Sequence, residues 1–244
     1  MSKTYAIFKR ELSNYFLTPV APIFIVVFLI LSAYMTFDRQ SWFDRGQADL
    51  LPYFGFLPIM LLILIPALSM RLWAEERKQG TIELLLTLPV SMSQAVLGKF
   101  LAAWAFCSLV LLLSANFWFT ARYLGDPDDG VILASYVGSI LMAGAYLAIG
   151  SCMSALTRNQ VIAFVLTIVA LVINLALGTE ATHEVLGSVL PNSLIEVFSS
   201  LSFLQRFQAI AKGVLDLRDV IFFASLIVFF LFANAIVLDL RKAS

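Results

Sequence analysis

The sequence predicts an all-α, polytopic membrane protein with six transmembrane helices, and three observations carry that expectation. Of 244 residues, 61% are hydrophobic and 13% charged, with a mean hydropathy of +0.92, more apolar surface than a soluble domain can bury. The apolar residues fall into six runs, each near the roughly 20 residues that cross about 30 Å of hydrocarbon. Between the second and third runs lies a densely charged segment, Arg71 to Lys99, RLWAEERKQGTIELLLTLPVSMSQAVLGK, with its own helix starts and stops. Residues 1–244 are expected to form one transmembrane domain.

Residues Lys3 to Leu17 open the chain as an amphipathic helix. Tyr5, Phe8, Leu12 and Tyr15 or Phe16 recur at spacings of three and four, while Lys9, Arg10, Ser13 and Asn14 fall on other faces. Lys3, Lys9 and Arg10 against the single acid Glu11 suit a helix in an anionic membrane interface, with docking on soluble protein as the alternative. Phe8, Lys9, Arg10 and Leu12 define that interfacial helix. Pro19 and Pro22 then turn the chain into the first span. No short apolar core with a small-residue cleavage site precedes it, so no cleaved signal peptide is expected.

The spans are expected at residues 20–37, 53–72, 94–120, 131–156, 161–178 and 219–238. Six crossings place both termini on one side. With the N-terminus inside, Lys3, Lys9, Arg10, Arg71, Arg77, Lys78, Lys99, Arg158, Arg241 and Lys242 lie inside, ten basic residues against six outside (Arg39, Arg45, Arg122, Arg206, Lys212, Arg218). That bias predicts cytoplasmic termini and a cytoplasmic 71–93 segment, the more so because the long outer segment counts little.

Within that segment Glu75, Glu76, Arg77 and Lys78 predict a solvated helical turn that Gly80 ends. Thr81 can cap a second short helix beginning at Ile82, Glu83 sits in its first turn where the dipole favours a negative charge, and Pro89 stops it. Ser91 and Gln94 have capping-box spacing at the entry to the third span.

The spans are nearly free of charge. Lys99 is the exception, near an inner end, where it is expected to snorkel. A charge at mid-bilayer is costly and usually marks an ion or proton pathway, so this pattern argues against an ion-coupled carrier or a proton pump. Asn116, Thr167, Asn174 and Asn234 are expected to bond across helices, and Gly144, Ala148, Cys152 and Ala155 make a small-residue face that lets another helix approach. Pro58 and Pro66 predict a bend in the second span. Cys107 and Cys152 lie in apolar runs and imply neither a disulfide nor a metal framework; His183, the single histidine, is expected in a solvated loop.

Residues 179–218 form the long outer segment. Phe198, Leu201, Leu204 and Phe207 recur every third residue, and Ile210, Ala211 and Val214 carry the stripe on, which predicts one or two amphipathic helices on the outer leaflet. Glu196, Arg206, Gln208, Lys212 and Asp216 leave no uncharged stretch for a seventh crossing.

Catalytic motifs are missing. Gly98-Lys99 is followed by Phe100 and lacks the earlier glycine of a phosphate loop, and no Ser/His/Asp or Cys/His set occurs in the loops. A formal net charge of zero suggests no nucleic-acid partner.

The whole chain resembles the type-2 ABC transporter permeases. The most specific stretch is Glu75-Glu76-Arg77-Lys78-Gln79-Gly80-Thr81-Ile82-Glu83-Leu84-Leu85-Leu86-Thr87-Leu88-Pro89-Val90-Ser91, which is similar to that family's E-x-x-x-G-T-x-E-x-L-x-x-x-P-[IV]-[ST]. FQAIAKGVLDLRD, with Phe207, Lys212, Gly213, Asp216 and Arg218, further resembles the gliding-motility-associated and copper-maturation branches, although Lys212 stands where arginine is commoner. The resemblance implies that residues 71–93 include a coupling helix seated on a separate ATPase, with Glu75, Glu76, Gly80, Thr81, Glu83 and Pro89 shaping the contact. It implies no cofactor in this chain, with ATP and Mg on the partner ATPase, present in two copies. It also implies an exporter of the bacterial cytoplasmic membrane built on a homodimer of permease chains, with an extracytoplasmic or membrane-anchored accessory protein. The alternative is a membrane scaffold that passes ATPase-driven change to extracytoplasmic proteins without transporting a substrate.

Overall fold

In the computed structural model, residues 3–39, 42–80, 90–179, 182, 184 and 199–240 are described, and the described residues contain helices and no strand. Helix α1 (Lys3–Leu17) has the bounds that its sequence pattern predicts, and Leu12 and Tyr15 of the predicted stripe pack on the core, but its most buried residue lies outside that stripe. Ile7 is its buried residue, whereas Tyr5 and Phe16 are about half exposed. The physical reason is a close approach to the third span. A Cβ added to Gly98 would lie 2.9 Å from the Ile7 side chain and 3.1 Å from the Thr4 carbonyl oxygen. Tyr15 stacks on Phe106 at 5.2 Å. The contact therefore advances along both helices together, and α1 runs alongside the third span.

Helix α2 (Val20–Tyr34) turns Ala21, Phe24, Phe28 and Ser32 inward and leaves Ile23, Val26, Val27, Ile30 and Tyr34 exposed, a split that suits a lipid-facing span. It runs into a π-helical turn, Met35–Arg39. Helix α3 (Leu51–Ser69) keeps both Pro58 and Pro66 inside one helix. The interruption falls a turn after Pro66, at Met70, and α4 (Arg71–Gln79) follows at once. Arg71 thus begins no solvated excursion: Leu72, Trp73 and Ala74 are buried, and the second span continues as an arm.

Helix α5 (Met92–Leu113) starts with the predicted capping box, Ser91 and Gln94 bonding reciprocally at 3.3 Å each. The predicted span over 94–120 lies within one apolar stretch, Met92–Leu124, in which the helix is interrupted at Ser114–Ala115 and resumes as α6 (Asn116–Leu124). Ser114 Oγ donates to the Leu111 carbonyl at 2.6 Å and is bonded to the Tyr53 hydroxyl at 2.6 Å. A serine hydroxyl satisfied this way competes with the helical ladder, a feature that hydropathy does not register.

Helix α7 (Asp129–Leu156) is the centre of the bundle. Asp128 caps it by accepting from Gly130 and Val131 N–H groups. It packs against α3, α4, α5 and three helices that follow it: α8 (Gln160–Ala176), α9 (Phe203–Ala211) and α10 (Leu217–Leu240). Its small residues admit these neighbours. A Cβ on Gly144 would meet Trp104 of α5 at 2.8 Å and Ile227 of α10 at 3.0 Å. Among the described residues, five helical stretches are long and apolar enough to cross a membrane (Val20–Arg45, Leu51–Gln79, Met92–Leu124, Asp129–Leu156 and Leu217–Leu240), and Gln160–Ala176 is a shorter apolar helix.

The outer segment keeps part of its predicted stripe, Phe207, Ile210 and Ala211, and departs from the rest. Phe203, Phe207, Ile210 and Ala211 are the buried face of α9, while Leu201 and Val214 are exposed; Phe198 lies outside the described residues. A three-residue spacing drifts off a helix of 3.6 residues per turn, and the face that is buried follows i, i+4, i+7, i+8. That face packs on α7 and α3. Asn174 ties the segment to α8 by donating to the Leu201 carbonyl and accepting from the Phe203 N–H, both at 3.0 Å. Thr167, by contrast, donates within its own helix to the Ala163 carbonyl.

Candidate functional site at the root of the charged arm

Three helices meet where the arm leaves the second span, and one lysine sits between them. Lys99, in the second turn of α5, has a side chain only 4% exposed. Its Nζ lies 2.7 Å from Glu76 Oε1 of α4 and 3.3 Å from Glu11 Oε1 of α1. Arg10 donates to the same Glu11 oxygen at 2.6 Å, and the indole of Trp73 lies 5.3 Å from the ammonium, ring centroid to Nζ. The predicted snorkelling does not occur. With α1 and α4 covering α5 here, the ammonium is cut off from water, and a buried charge is tolerated only with opposite charges and hydrogen bonds around it.

Glu11 titrates in the opposite sense to most buried acids. Burial raises its pKa, but the charge of Lys99, the hydrogen bond and charge of Arg10 and the hydrogen bond of Lys99 together outweigh burial and hold it below the ordinary carboxylate value. The ion pairs therefore need Glu11 charged. Beside them opens a polar cleft of about 290 Å³, whose lining includes Asn14, Arg71, Glu75, Glu76 and Lys99.

The other face of the arm is held by α7. Ser154 Oγ donates to the Met70 carbonyl at 2.9 Å and accepts from the N–H groups of Trp73 and Ala74 at 3.2 and 3.1 Å. The first turn of a helix leaves N–H groups without helical partners, so a hydroxyl from α7 serves as its cap. Arg77 donates to the Ala155 carbonyl at 2.6 Å. Trp73 Nε1 donates to Ser151 Oγ at 3.2 Å. Gly80, at φ +73°, then closes α4 in the left-handed conformation that glycine adopts without strain.

Of the residues expected at the coupling segment, Glu76 enters the ion-pair cluster and Glu75, on its rim, accepts from Gln79 Nε2 at 3.3 Å. Gly80 ends the arm, and Thr81, Glu83 and Pro89 lie outside the described residues. From the interfacial set, Arg10 takes part, Phe8 and Leu12 are half-buried and Lys9 is exposed. The outer set is not brought to this joint. Gly213 (φ +89°) packs over Val131 near the start of α7, whereas Ala155 and the arm meet its end, about 40 Å along a 28-residue helix. There Phe207 is buried, Lys212 and Arg218 are exposed, and Asp216 accepts from the Arg218 N–H at 2.9 Å.

Lys99, Glu11, Trp73, Ser151 and Ser154 were not legible as a site. A signal existed for two of them: Glu11 is the single acid of α1 and Lys99 the single charge within the third span, and opposite charges near a membrane edge seek each other.

A family model described as "ABC-2 family transporter protein" matches residues 8–174, more than half of the chain. This chain belongs to the ABC-2 family of transporter proteins. No curated protein matches it. The family is a membrane permease component that normally works with an ATPase subunit. The match and the apolar helices together make the chain a multi-pass membrane protein. The matched range contains Glu11, Trp73, Glu76, Lys99, Ser151 and Ser154, so the whole joint lies inside the ABC-2 unit, and α9 and α10 lie beyond it.

Proposed function

We propose that this ABC-2 chain is the permease subunit of a type-2 exporter of the bacterial cytoplasmic membrane, driven by ATP hydrolysis on a separate ATPase. The observation that carries the reading is the arm. The second span runs past Met70 into Arg71–Gln79, and this extension is seated on α7 by Ser154 and Arg77 and on α1 and α5 through Lys99. A force applied beyond Gly80 reaches three helices at once, as a coupling element requires.

The orientation rests on the basic residues, ten against six, which put the arm and both termini in the cytoplasm. Two permease chains around one path and two ATPases beneath them, each ATPase carrying ATP and Mg, complete the assembly, since a six-span chain is half a transporter. Export as the direction, and the branch suggested by Phe207 to Asp219, come from the resemblance of those segments.

The experiment is co-expression of the chain with candidate ATPase subunits. The expected result is a stable complex whose ATP turnover responds to replacement of Gly80 or Glu83 while membrane insertion stays normal. No co-purifying ATPase, or turnover and transport that stay coupled in both variants, overturns the reading. Function that persists with the path between two permease chains cross-linked shut would instead support the scaffold reading.

A further inference from the structure

The last span bears on the body of the protein along a single stripe: Asp219, Phe223, Ile227, Asn234 and Leu238 are the buried residues of α10. Its remaining surface is largely apolar and exposed, including Ile221, Val228, Phe229 and Phe232. Two polar residues interrupt the stripe. At one end Asp219 pairs with Arg206 at 2.7 Å. About 22 Å further along, at 1.5 Å per residue, Asn234 is fully buried and donates through Nδ2 to Ser151 Oγ at 2.7 Å.

Ser151 Oγ is the same atom that accepts from the indole of Trp73 in the arm. One hydroxyl on the central helix thus joins the arm to the last span. Asn234 Oδ1 is buried and has no hydrogen-bond partner among the described residues. Packing alone does not call for this amide, because an apolar residue would fill the stripe without leaving a polar atom unsatisfied. An amide whose nitrogen bonds a shared hydroxyl and whose oxygen is held open is a group that changes partners when that hydroxyl's other partner moves.

We infer that Asn234 is the positioning residue through which displacement of the arm reaches the last span, by way of Trp73 and Ser151. This rests on the reading of the arm as the coupling element. In the arrangement seen here Trp73 and Asn234 both donate to Ser151. When the arm shifts and Trp73 leaves or realigns, Ser151 Oγ loses one of its two donors, the Asn234 amide turns so that its open oxygen accepts from the Ser151 hydroxyl, and α10 resets about its Asp219–Arg206 anchor. No covalent step or added ligand is involved.

The test uses the full complex with its ATPase in nanodiscs, with Cys107→Ala and Cys152→Ala as background and spin labels at exposed sites. Lys78→Cys with Val161→Cys follows the arm against α8, and Phe232→Cys with Val161→Cys follows the last span. In the otherwise unaltered chain both distances should change when Mg-ATP and vanadate trap the ATPase. In Asn234→Leu the arm distance should still change while the last-span change is lost. Trp73→Phe, which keeps the ring and removes the donor, should give the same loss, and Asn234→Ser should restore part of the change. A last-span change that persists in Asn234→Leu overturns the inference. If neither distance responds in the unaltered chain, the coupling reading itself fails and the inference with it. Should Asn234→Leu lower the unfolding temperature, Trp73→Phe and Asn234→Ser decide the matter, since loss of packing alone would not make serine a better substitute than leucine.

Discussion

Replacing Glu76 with glutamine tests the joint most directly, because it keeps the side chain's shape and removes one of the two carboxylates facing Lys99. At an effective dielectric of about 20, unit charges 2.7 and 3.3 Å apart attract by roughly 6 and 5 kcal/mol. Desolvation of the ammonium and the carboxylates cancels much of this, and breaking a buried pair typically costs about 3–5 kcal/mol. Glu11 remains beside Lys99 in the variant, so the lower part of that range applies, about 3 kcal/mol. At roughly 2–4 °C per kcal/mol for a chain of this size, the unfolding temperature in detergent should fall by about 6–12 °C. Replacing all three members together, Lys99→Met with Glu11→Gln and Glu76→Gln, leaves no orphaned charge and should recover most of the loss. Recovered stability with ATP turnover no longer tied to transport would separate the mechanical role of the cluster from its contribution to folding. A shift below about 1 °C for Glu76→Gln would mean that Lys99 is solvated after all, and the joint as described would be refuted.

Four further outcomes are expected. The pKa of Glu11 is lower folded than unfolded, so its contribution is present above the unfolded value of about 4.3 and is lost as pH falls through the folded value; Glu11→Gln should flatten that acid limb of a stability-versus-pH curve. Gly150→Ala would bring a methyl group to within 2.7 Å of Ser69 Cβ and 3.1 Å of Thr167 Cγ2, and should cost about 1–3 kcal/mol by overpacking α3 and α8 against α7, measured by thermal unfolding. Gly80→Ala meets no neighbour within 4 Å among the described residues, and the left-handed backbone should cost about 1–2 kcal/mol, seen as fraying of α4 in amide exchange. Ser154→Ala removes the cap shared by Met70, Trp73 and Ala74 and should cost about 1–3 kcal/mol, with faster exchange confined to the start of the arm.

The family and the apolar helices were legible because they depend on local properties. Hydropathy runs mark spans, the Ser91–Gln94 spacing marks a helix start, and the Glu75–Ser91 motif lies within a single stretch of chain. The bounds of α1 followed from its charge and apolar pattern in the same way. Where prediction departed from the fold, a neighbour decided the outcome. Ile7 rather than Tyr5 faces inward because Gly98 lets α1 approach there, and α5 breaks at Ser114 because its hydroxyl finds Tyr53. The predicted stripe supplies Phe207, Ile210 and Ala211 of the buried face of α9, and contact with α7 and α3 adds Phe203 and leaves Leu201 and Val214 outside.

Lys99 shows the division most clearly. By itself the sequence determines that a single cation stands near the edge of the third span, and a lone lysine in that position has a low-energy course in reaching for water. Only the tertiary structure decides that Glu11, 88 positions earlier, and Glu76, 23 positions earlier, enclose it. The same holds for Ser151, which joins Trp73 to Asn234 across gaps of 78 and 83 residues. Apolar spans are specified by solvent transfer, a property of each stretch alone. Buried polar contacts are specified by which helices pack together, and that is settled when the bundle closes.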